Sequence, residues 1–423
     1  MSKHKVIWIV NYYAAVPCSE TNPRYTKLSH YFQQAGYDVY IFNASFDHRS
    51  LTDLIPDKAN YLKKQYGIHN YVHIRTPHYH GNGISRVFSI FVFAWRLLLN
   101  RKHFEKPDVI LHNLHTPFDY PIVWVSKLLR CKYIAEAWDL WPDDFVEYGL
   151  VSKKNPVLKL FYAIEKRLYY HADQMIFTFK GIYDYLEHKG WTLSQGGKIN
   201  LNHVHYINNG IDIAEFDQNR LSYPRQDDDM NNPDIYKIVY MGSVSLANDV
   251  KQFVDAASLL QHNPKYKFFI YGNGSDRPFL EQYVIDNGIS NVVFKEKRIP
   301  LREVAWVVSQ ARVNVMNYTK GFGRLGVSSG KLFQYLAAGK PIVCNVKIDY
   351  DDVITDNNLG VAYDMYSADD YAQAIQRLAE QSDSDYESMC QRVRSVGAQF
   401  DYALIAKNEL SVIELSLQST MDK

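Results

Sequence analysis

The sequence predicts an α/β protein built from two doubly wound, mostly parallel sheets. Three observations lead to this fold class: apolar runs alternate with helical stretches, one polar segment interrupts the alternation, and the alternation then resumes. A chain of 423 residues is long enough for two or three domains. Sheets of this kind bind ligands beyond the carboxyl ends of their strands, so we expect a site in a cleft between two facing sheets.

The first half of the chain contributes the first series of elements. A buried strand is expected at residues 5–10, a helix over 24–34 and a second strand at 37–42. Further strands are expected at 107–113, 132–138, 174–179 and 204–210. Apolar runs of this kind are typical of strands that helices cover on both faces, which indicates a parallel sheet.

The segment ISRVFSIFVFAWRLLLNRKHF at 84–104 is apolar and aromatic, and it contains the basic residues Arg86, Arg96, Arg101 and Lys102. Its uninterrupted apolar part is too short to span a bilayer. Two interpretations are open: a helix buried in the core, or an interfacial helix that basic side chains anchor at a membrane surface.

Residues 217–234 are polar and rich in turn formers, so they predict a linker. A second series of strands follows at 236–242, 266–274, 291–296, 313–318, 340–346 and 360–364. A helical run is expected from about 365 to 420. The predicted domains are therefore 1–216 and 235–400, with a C-terminal helix over 401–423.

Composition and charge argue against several classes of protein. The formal net charge of +1 gives no reason to expect a nucleic-acid partner. Four scattered cysteines (Cys18, Cys131, Cys344 and Cys390) predict reduced thiols, and the N-terminus lacks a signal-peptide pattern, so a cytoplasmic location is expected. The run Asp227–Asp229 is either a metal site or a solvated acidic patch, and we expect the patch and no metal.

The stretch SSGKLFQYLAAGKPIV at 328–343 predicts a helix with a bare start. Ser328 or Ser329 can cap its first turn, and Gly339 ends it. Because Gly330 has no side chain, a ligand can approach the unpaired amides of the first turn, which suit a phosphate. An ordinary helix between two strands is the alternative.

Six segments carry a family resemblance. They are AEAWDLWPDDFVEYGL at 135–150, IEKRLYYHADQMIFTFKGIYDYL at 164–186, INNGID at 207–212, VYMGSV at 239–244, YGNGSDRPFLE at 271–281 and GVSSGKLFQYLAAGKPIV at 326–343. In this order they resemble bacterial surface-polysaccharide glycosyltransferases of family four, in particular a fucosamine-transferase-like group. The resemblance extends from residue 5 to about residue 400.

The resemblance implies a GT-B fold, in which two Rossmann-like domains face a cleft and the C-terminal helices pack back toward the N-terminal domain. It implies a retaining, metal-independent hexosyl- or N-acetylhexosaminyl-transferase that needs no cofactor and uses a UDP- or GDP-linked sugar. The implied acceptor is a lipid-linked or oligosaccharide glycan of capsule, O-antigen or exopolysaccharide synthesis. The enzyme would then work in the cytoplasm or at the inner face of the plasma membrane.

The resemblance and the residue chemistry together suggest site residues. The expected catalytic residues are Lys331, Asp139 and Arg324. The expected donor-binding residues are Gly242, Ser243, Gly272, Lys297, Ser328, Ser329, Gly330 and Gln334. The expected acceptor-side residues are Arg24, His115 and Trp138. First-turn amides and the Lys331 ammonium would stabilise the charge that develops on a departing diphosphate.

Four positions depart from the family's pattern. Many relatives have two glutamates eight positions apart, where this chain has Gly326 and Gln334, and a glutamine lacks the charge of a glutamate toward ribose hydroxyls. Trp138 replaces an Arg or His, and Asn248 stands where many relatives have a Lys. Cationic help must therefore come from elsewhere, and Lys331, Arg324 and Lys297 are the candidates.

Two alternative functions remain open at this point. Some nucleotide-sugar epimerases share the two-domain fold, but they need a carboxylate and histidine set for proton abstraction, and the sequence shows none. A non-catalytic partner subunit that binds a nucleotide sugar is also compatible with the missing glutamates. Release of a nucleoside diphosphate from a nucleotide sugar would discriminate among these functions.

Overall fold

The computed structural model describes residues 4–17, 23–47, 50–81, 83–143, 146, 152 and 154–418. Its contacts divide the chain into two compact units. The N-terminal unit comprises Met1–Thr178, Ile182–Asn208 and Ala403–Lys423, and the C-terminal unit comprises Phe179–Gly181 and Asn209–Tyr402. The end of the chain therefore returns to the unit in which it began.

A parallel sheet forms the centre of the N-terminal unit. The described strands are β1 (Val6–Val10), β2 (Asp38–Ala44), β3 (Phe46–Asp47), β4 (Thr52–Asp53), β5 (Tyr61–Tyr66), β6 (His69–Ile74), β7 (Val109–Asn113), β8 (Lys132–Ala137), β9 (Gln174–Phe177) and β10 (Val204–Tyr206). Eight of them are ordered β10-β9-β8-β7-β1-β2-β6-β5, and β3 pairs with β4 separately. All five residues of β1 are buried between parallel neighbours, which explains its continuous apolar run.

Helices flank this sheet. The described ones are α1 (Arg24–Gln34), α2 (Ile84–Asn100), α3 (Pro121–Leu129), α4 (Pro156–His171) and α5 (Ile182–His188). None of the helices within the described ranges is long and apolar enough to cross a membrane. One face of α2 is buried, with Phe93 and Leu97, and the other is exposed, with Phe88 and Trp95.

The C-terminal unit has its own parallel sheet. The described strands are β11 (Tyr236–Met241), β12 (Tyr266–Tyr271), β13 (Val292–Phe294), β14 (Val313–Met316), β15 (Ile342–Cys344) and β16 (Gly360–Ala362), in the order β13-β12-β11-β14-β15-β16. The described helices are α6 (Ile213–Ser222), α7 (Asp228–Asn231), α8 (Val250–Leu259), α9 (Arg277–Asp286), α10 (Leu301–Gln310), α11 (Gly330–Ala338), α12 (Val353–Asp356), α13 (Ala368–Ala379) and α14 (Asp383–Gly397). The last helix, α15 (Tyr402–Gln418), packs in the N-terminal unit from Ala403 onward. The predicted fold class of two parallel-sheet domains is confirmed.

The structure differs from the sequence predictions at two places. The hairpin of β5 and β6 was not predicted, and it adds an antiparallel edge strand whose turn uses Gly67 at φ +59°. The predicted linker at 217–234 contains the second half of α6 and all of α7.

Two of the three aspartates of that linker pair with lysines, and Asp228 alone is exposed as the predicted solvated patch requires. Asp227 caps α7 through the N–H of Met230 at 3.1 Å and pairs with Lys295 at 2.8 Å. Asp229 pairs with Lys267 at 2.5 Å. Within the described residues, no three His, Cys, Asp or Glu side chains come together as a metal site. Cys131, Cys344 and Cys390 are free thiols, and Cys18 lies outside the described residues.

A fully buried charge cluster ties α15 to the sheet of the N-terminal unit. Nη2 of Arg24 lies 2.9 Å from Oε1 of Glu136, at the end of β8, and 2.5 Å from Oε1 of Glu409 on α15. Nη1 donates to the carbonyl of Asn208 at 3.3 Å, and Tyr25 donates to Oε2 of Glu136 at 2.6 Å. Arg24 is therefore a structural residue, because its side chain is completely buried.

We expect Arg24→Met to lower the unfolding free energy of the N-terminal unit by about 3–5 kcal/mol, since it strands two buried carboxyl groups. Glu409→Gln should cost much less at neutral pH. Burial raises the pKa of Glu409 above its ordinary 4.5, although Arg24 opposes the shift, so the folded state favours its protonated form.

The same shift predicts a pH dependence that urea unfolding can measure. A raised carboxyl pKa means that stability is lost as the pH rises from 4.5 through the folded-state value. The Glu409→Gln protein should lack this loss. If Arg24→Met and Glu409→Gln lowered the unfolding free energy equally at every pH, the raised pKa of Glu409 would be contradicted.

Candidate active site

Glycines bring the strand ends of the C-terminal unit close together. Gly242 follows β11 at φ +155° and Gly272 follows β12 at φ +133°. A Cβ on Gly272 would lie 1.8 Å from the carbonyl oxygen of Gly242, so only glycine fits there. A Cβ on Gly242 would lie 2.5 Å from Cε of Lys331. Gly272 therefore lets the two strand ends approach each other, and Gly242 leaves room for the side chain of Lys331.

Lys331, in the first turn of α11, directs its ammonium group toward the end of β11. Nζ donates to Oδ1 of Asn248 at 3.1 Å and to the hydroxyl of Tyr240 at 3.3 Å. It also lies 4.7 Å and 5.0 Å from the ring centres of Tyr240 and Tyr318. No carboxylate within the described residues pairs with it. Burial lowers the pKa of Lys331 to about 8, so its charge is present at neutral pH but is held at a cost.

The start of α11 is as bare as the sequence suggests, but the capping prediction is wrong. Ser329 occupies the N-cap position and its side chain accepts no capping bond, while the Oγ of Ser328 is buried and has no partner among the described residues. A Cβ on Gly330 would meet open space, since nothing lies within 4 Å. The first turn of α11 is therefore open to approach at Gly330, and neither serine side chain caps its backbone amides. Gly339 ends the helix at φ +65°, as predicted.

The remaining predicted donor residues lie on α11, in the loop before it and after the strands β11 and β13. Gln334, one turn beyond Gly330, is partly exposed and makes no side-chain hydrogen bond with any described residue. Gly326 adopts φ +105°, a conformation that strains a side chain, which accounts for the absence of a glutamate there. Arg324 is exposed in the same loop, and Lys297 is exposed beyond β13. Ser243 is exposed next to Gly242, where its carbonyl accepts from Tyr240 at 2.5 Å.

Sequence reasoning missed the aromatic and amide groups that hold Lys331. Tyr240 lies in β11 and Tyr318 follows β14, and nothing in either strand pattern distinguishes these tyrosines from residues that only pack in the core. Tyr335 on α11 was also missed, because it is fully buried where the N–H of Met241 donates to its hydroxyl at 3.3 Å. The one available signal was Asn248, a polar residue shortly after a buried strand.

In the N-terminal unit the predicted acceptor-side residues lie near the carboxyl ends of β7 and β8. Trp138 stacks on Tyr25 with ring centres 5.4 Å apart and planes 9° apart. His115 lies with its Nε2 3.3 Å from Oδ1 of Asn11, and burial lowers the pKa of His115 to about 3, which keeps the ring neutral. The side chains of Trp138 and His115 are partly exposed to solvent, whereas that of Arg24 is completely buried.

Asp139 borders a small pocket with His115, Trp141 and Glu165. The pocket encloses about 20 Å³, enough for a water molecule. Asp139 is exposed at the pocket mouth, and the surrounding protein raises the pKa of its carboxyl by desolvation. Glu165 is fully buried beneath it, and burial raises its pKa to about 8 despite two contacts from the Tyr185 hydroxyl at 3.1 and 3.2 Å. Glu165 was not predicted, although a glutamate on the apolar face of α4 was a visible signal.

The chain matches two family models in sequence. A model described as Glycosyltransferase Family 4 matches residues 24–215, and one described as Glycosyl transferases group 1 matches residues 226–396. These two matches fall on the N-terminal and C-terminal units respectively. No curated protein sequence matches the chain.

Solved structures share the fold over nearly the whole chain. Sucrose-phosphate synthase from Thermosynechococcus elongatus has a TM-score of 0.70 at 19% identity, covering 99% of this chain and 100% of its own. WaaG, a glycosyltransferase involved in lipopolysaccharide biosynthesis, has a TM-score of 0.64 at 14% identity, with 96% and 99% covered. HepE from Anabaena in complex with UDP-glucose has a TM-score of 0.61 at 13% identity, with 97% and 100% covered.

These likenesses define the class of the protein as GT-B, with its two parallel-sheet α/β domains. The two sequence matches together indicate a glycosyltransferase, with the family 4 match in the first half of the chain and the group 1 match in the second.

We expect Gly242→Ala and Gly330→Ala to have opposite effects on stability. The alanine at 242 would be strained by its φ and would push Lys331 aside, at a cost of about 1–3 kcal/mol. The alanine at 330 would meet open space and restrict the unfolded chain, a gain of about 0.4–1 kcal/mol. Thermal unfolding of both variants measures the difference. If both variants were equally destabilised, a side chain at position 330 would not meet open space.

Proposed function

We propose that the protein transfers a sugar from a UDP- or GDP-linked donor to a glycan acceptor, with retention of anomeric configuration. One observation carries this proposal: a partly buried lysine, whose ammonium has no carboxylate partner in the described chain, lies in the first turn of an uncapped helix. Both features suit a diphosphate. That HepE was solved in complex with UDP and with UDP-glucose supports a nucleotide-sugar donor.

The proposed chemistry follows from the charge that develops during transfer. The bond between the anomeric carbon and the diphosphate oxygen breaks, and the acceptor hydroxyl attacks that carbon on the face from which the diphosphate departs. The departing oxygen accepts the hydroxyl proton. Negative charge grows on the diphosphate as the bond breaks, so Lys331 and the first-turn amides stabilise the transition state more than the bound donor.

The other site residues take roles that their positions permit. We propose that Gly242, Gly272 and Gly330 allow close approach of the donor. Further donor contacts come from Ser243, Lys297, Ser328, Ser329 and Gln334, and Arg324 supplies a second positive charge. Trp138, Asp139 and His115 border the acceptor, with the Trp138 ring as a surface on which a sugar can stack.

We also propose that the acceptor is lipid-linked and that the enzyme works at the inner face of a bacterial plasma membrane, in capsule, O-antigen or exopolysaccharide synthesis. An exposed apolar surface on two neighbouring helices supports this. The α2–α3 surface consists of Ile84, Phe88, Phe91, Trp95 and Leu99 on α2 and Trp124 and Leu128 on α3. Trp95 and Trp124 join the helices with ring centres 6.4 Å apart.

Basic side chains border the α2–α3 surface. Lys102, Lys127 and Arg130 are exposed at the ends of the two helices. Aromatic side chains partition into the headgroup region of a bilayer, and basic side chains are attracted to anionic lipids. The surface therefore suits an anionic membrane.

The donor proposal predicts the outcome of a panel of nucleotide sugars. The wild-type protein should release a free nucleoside diphosphate slowly from one of them, and Lys331→Ala should lower that rate on the order of a hundredfold. Lys265→Ala is the matched control, because Lys265 is exposed just before β12, at the amino ends of the strands and away from Lys331.

Two further arms separate the alternatives. Release should persist in excess EDTA, because Lys331 and the helix amides supply the positive charge; loss on chelation with recovery in magnesium would contradict metal independence. A protein that binds a nucleoside diphosphate but turns over no nucleotide sugar would instead be a non-catalytic subunit. Conversion of one nucleotide sugar into another would indicate an epimerase.

The membrane proposal predicts selective binding to vesicles. Co-sedimentation with phosphatidylglycerol-containing vesicles should exceed that with phosphatidylcholine vesicles and should weaken at high salt. Phe88→Ser with Trp95→Ser should weaken binding about tenfold or more, given ~1.5–3 kcal/mol for each large apolar side chain. Phe279→Ser with Ile285→Ser, which alters exposed apolar residues of α9, should have no effect. Equal binding by both double variants would contradict the proposal.

A further inference from the structure

Asn248 is itself held firmly next to Lys331. Its Nδ2 donates to Oγ of Ser245 at 3.2 Å, and its backbone N–H donates to the carbonyl of Ser245 at 2.8 Å. Its own carbonyl accepts from Nδ2 of Asn317 at 3.1 Å. Because the amide nitrogen is directed to Ser245, the amide oxygen is directed to the Lys331 ammonium.

The hydrogen-bond directions around Lys331 leave one donor unused. An ammonium group has three N–H donors. One goes to Oδ1 of Asn248 and one goes to the Tyr240 hydroxyl, whose own proton is donated to the carbonyl of Ser243. Among the described residues, the third donor has no acceptor. Both acceptors are neutral, so they orient the charge without cancelling it.

We propose that Asn248 is a positioning residue, which holds the Lys331 ammonium with a neutral acceptor so that its charge stays available to a diphosphate. Gly242 is part of the same arrangement, since a Cβ there would lie 2.5 Å from Cε of Lys331. A carboxylate at position 248 would hold the ammonium more strongly but would neutralise it. That the diphosphate belongs to a sugar donor rests on the proposed function. That Lys331 binds a diphosphate anion does not depend on it.

Binding of inorganic pyrophosphate tests the proposal without any donor. At neutral pH, calorimetry should show binding to the wild-type protein that is at least about tenfold weaker in Asn248→Asp, as expected for the loss of a charge-assisted contact. Asn248→Ala should weaken it less, because the ammonium loses an orienting acceptor but no negative charge is placed beside it. Asn287→Asp adds the same negative charge at the exposed end of α9 and should leave binding unchanged.

The pKa of Lys331, followed by side-chain NMR, gives a readout that a merely structural role would not move. It should rise in Asn248→Asp, which supplies a carboxylate, and fall in Asn248→Ala, which removes an acceptor from the charged form. Thermal unfolding checks that each variant is folded. The same Lys331 pKa in all three proteins, or undiminished pyrophosphate binding by Asn248→Asp, would overturn the proposal, and so would a wild-type protein that binds no pyrophosphate.

The results separate this inference from the proposed function. If the variants behave as expected and no nucleotide sugar is turned over, Asn248 still positions Lys331 and the transferase proposal fails. If transfer is observed and Asn248→Asp retains full pyrophosphate binding, the transferase proposal stands and the role of Asn248 is wrong.

Discussion

The ammonium group of Lys331 is held by Tyr240 and Asn248 beside Gly242, and no carboxylate in the described chain balances its charge. Burying an unbalanced charge is unfavourable, and the lowered pKa of Lys331 reflects that cost. The surrounding structure depends on this placement. The glycine after β11 makes space for the side chain, and two tyrosine rings provide the electron-rich faces that a cation prefers.

The N-terminal unit treats its buried cation in the opposite way. Arg24 is enclosed by Glu136 and Glu409, and its contacts with both carboxyl groups hold the last helix against the sheet. The paired charge of Arg24 stabilises the arrangement of the helix and the sheet. The charge of Lys331 has no carboxylate partner in the described chain, so it is available to a ligand. Arg24 and Lys331 both lie in the first turn of a helix, so the sequence pattern alone does not distinguish the structural cation from the available one.

Much of the fold could be predicted because it depends on local patterns. Apolar runs such as VIWIV in β1 and IVYM in β11 predict buried parallel strands, and the glycine stop after α11 predicts its end. The β5–β6 hairpin could not be predicted in this way, because its residues are polar and aromatic and its stability comes from pairing along the sheet edge. The missing serine caps at α11 and the burial of Arg24 also depend on tertiary contacts that a sequence pattern does not contain.

The candidate site could be predicted only in part for the same reason. The residue types of the helix start indicated an anion site, but the hydrogen-bond partners of Lys331 come from β11 and the loop after it, which are about 80 to 90 positions away in sequence. The most direct test is an amide NMR titration of the protein with UDP and with GDP. The account predicts that one nucleotide shifts the Gly330 and Lys331 amide signals and the Lys331 side-chain signal together, in a saturable way. Saturable binding that leaves all three signals unchanged would contradict it.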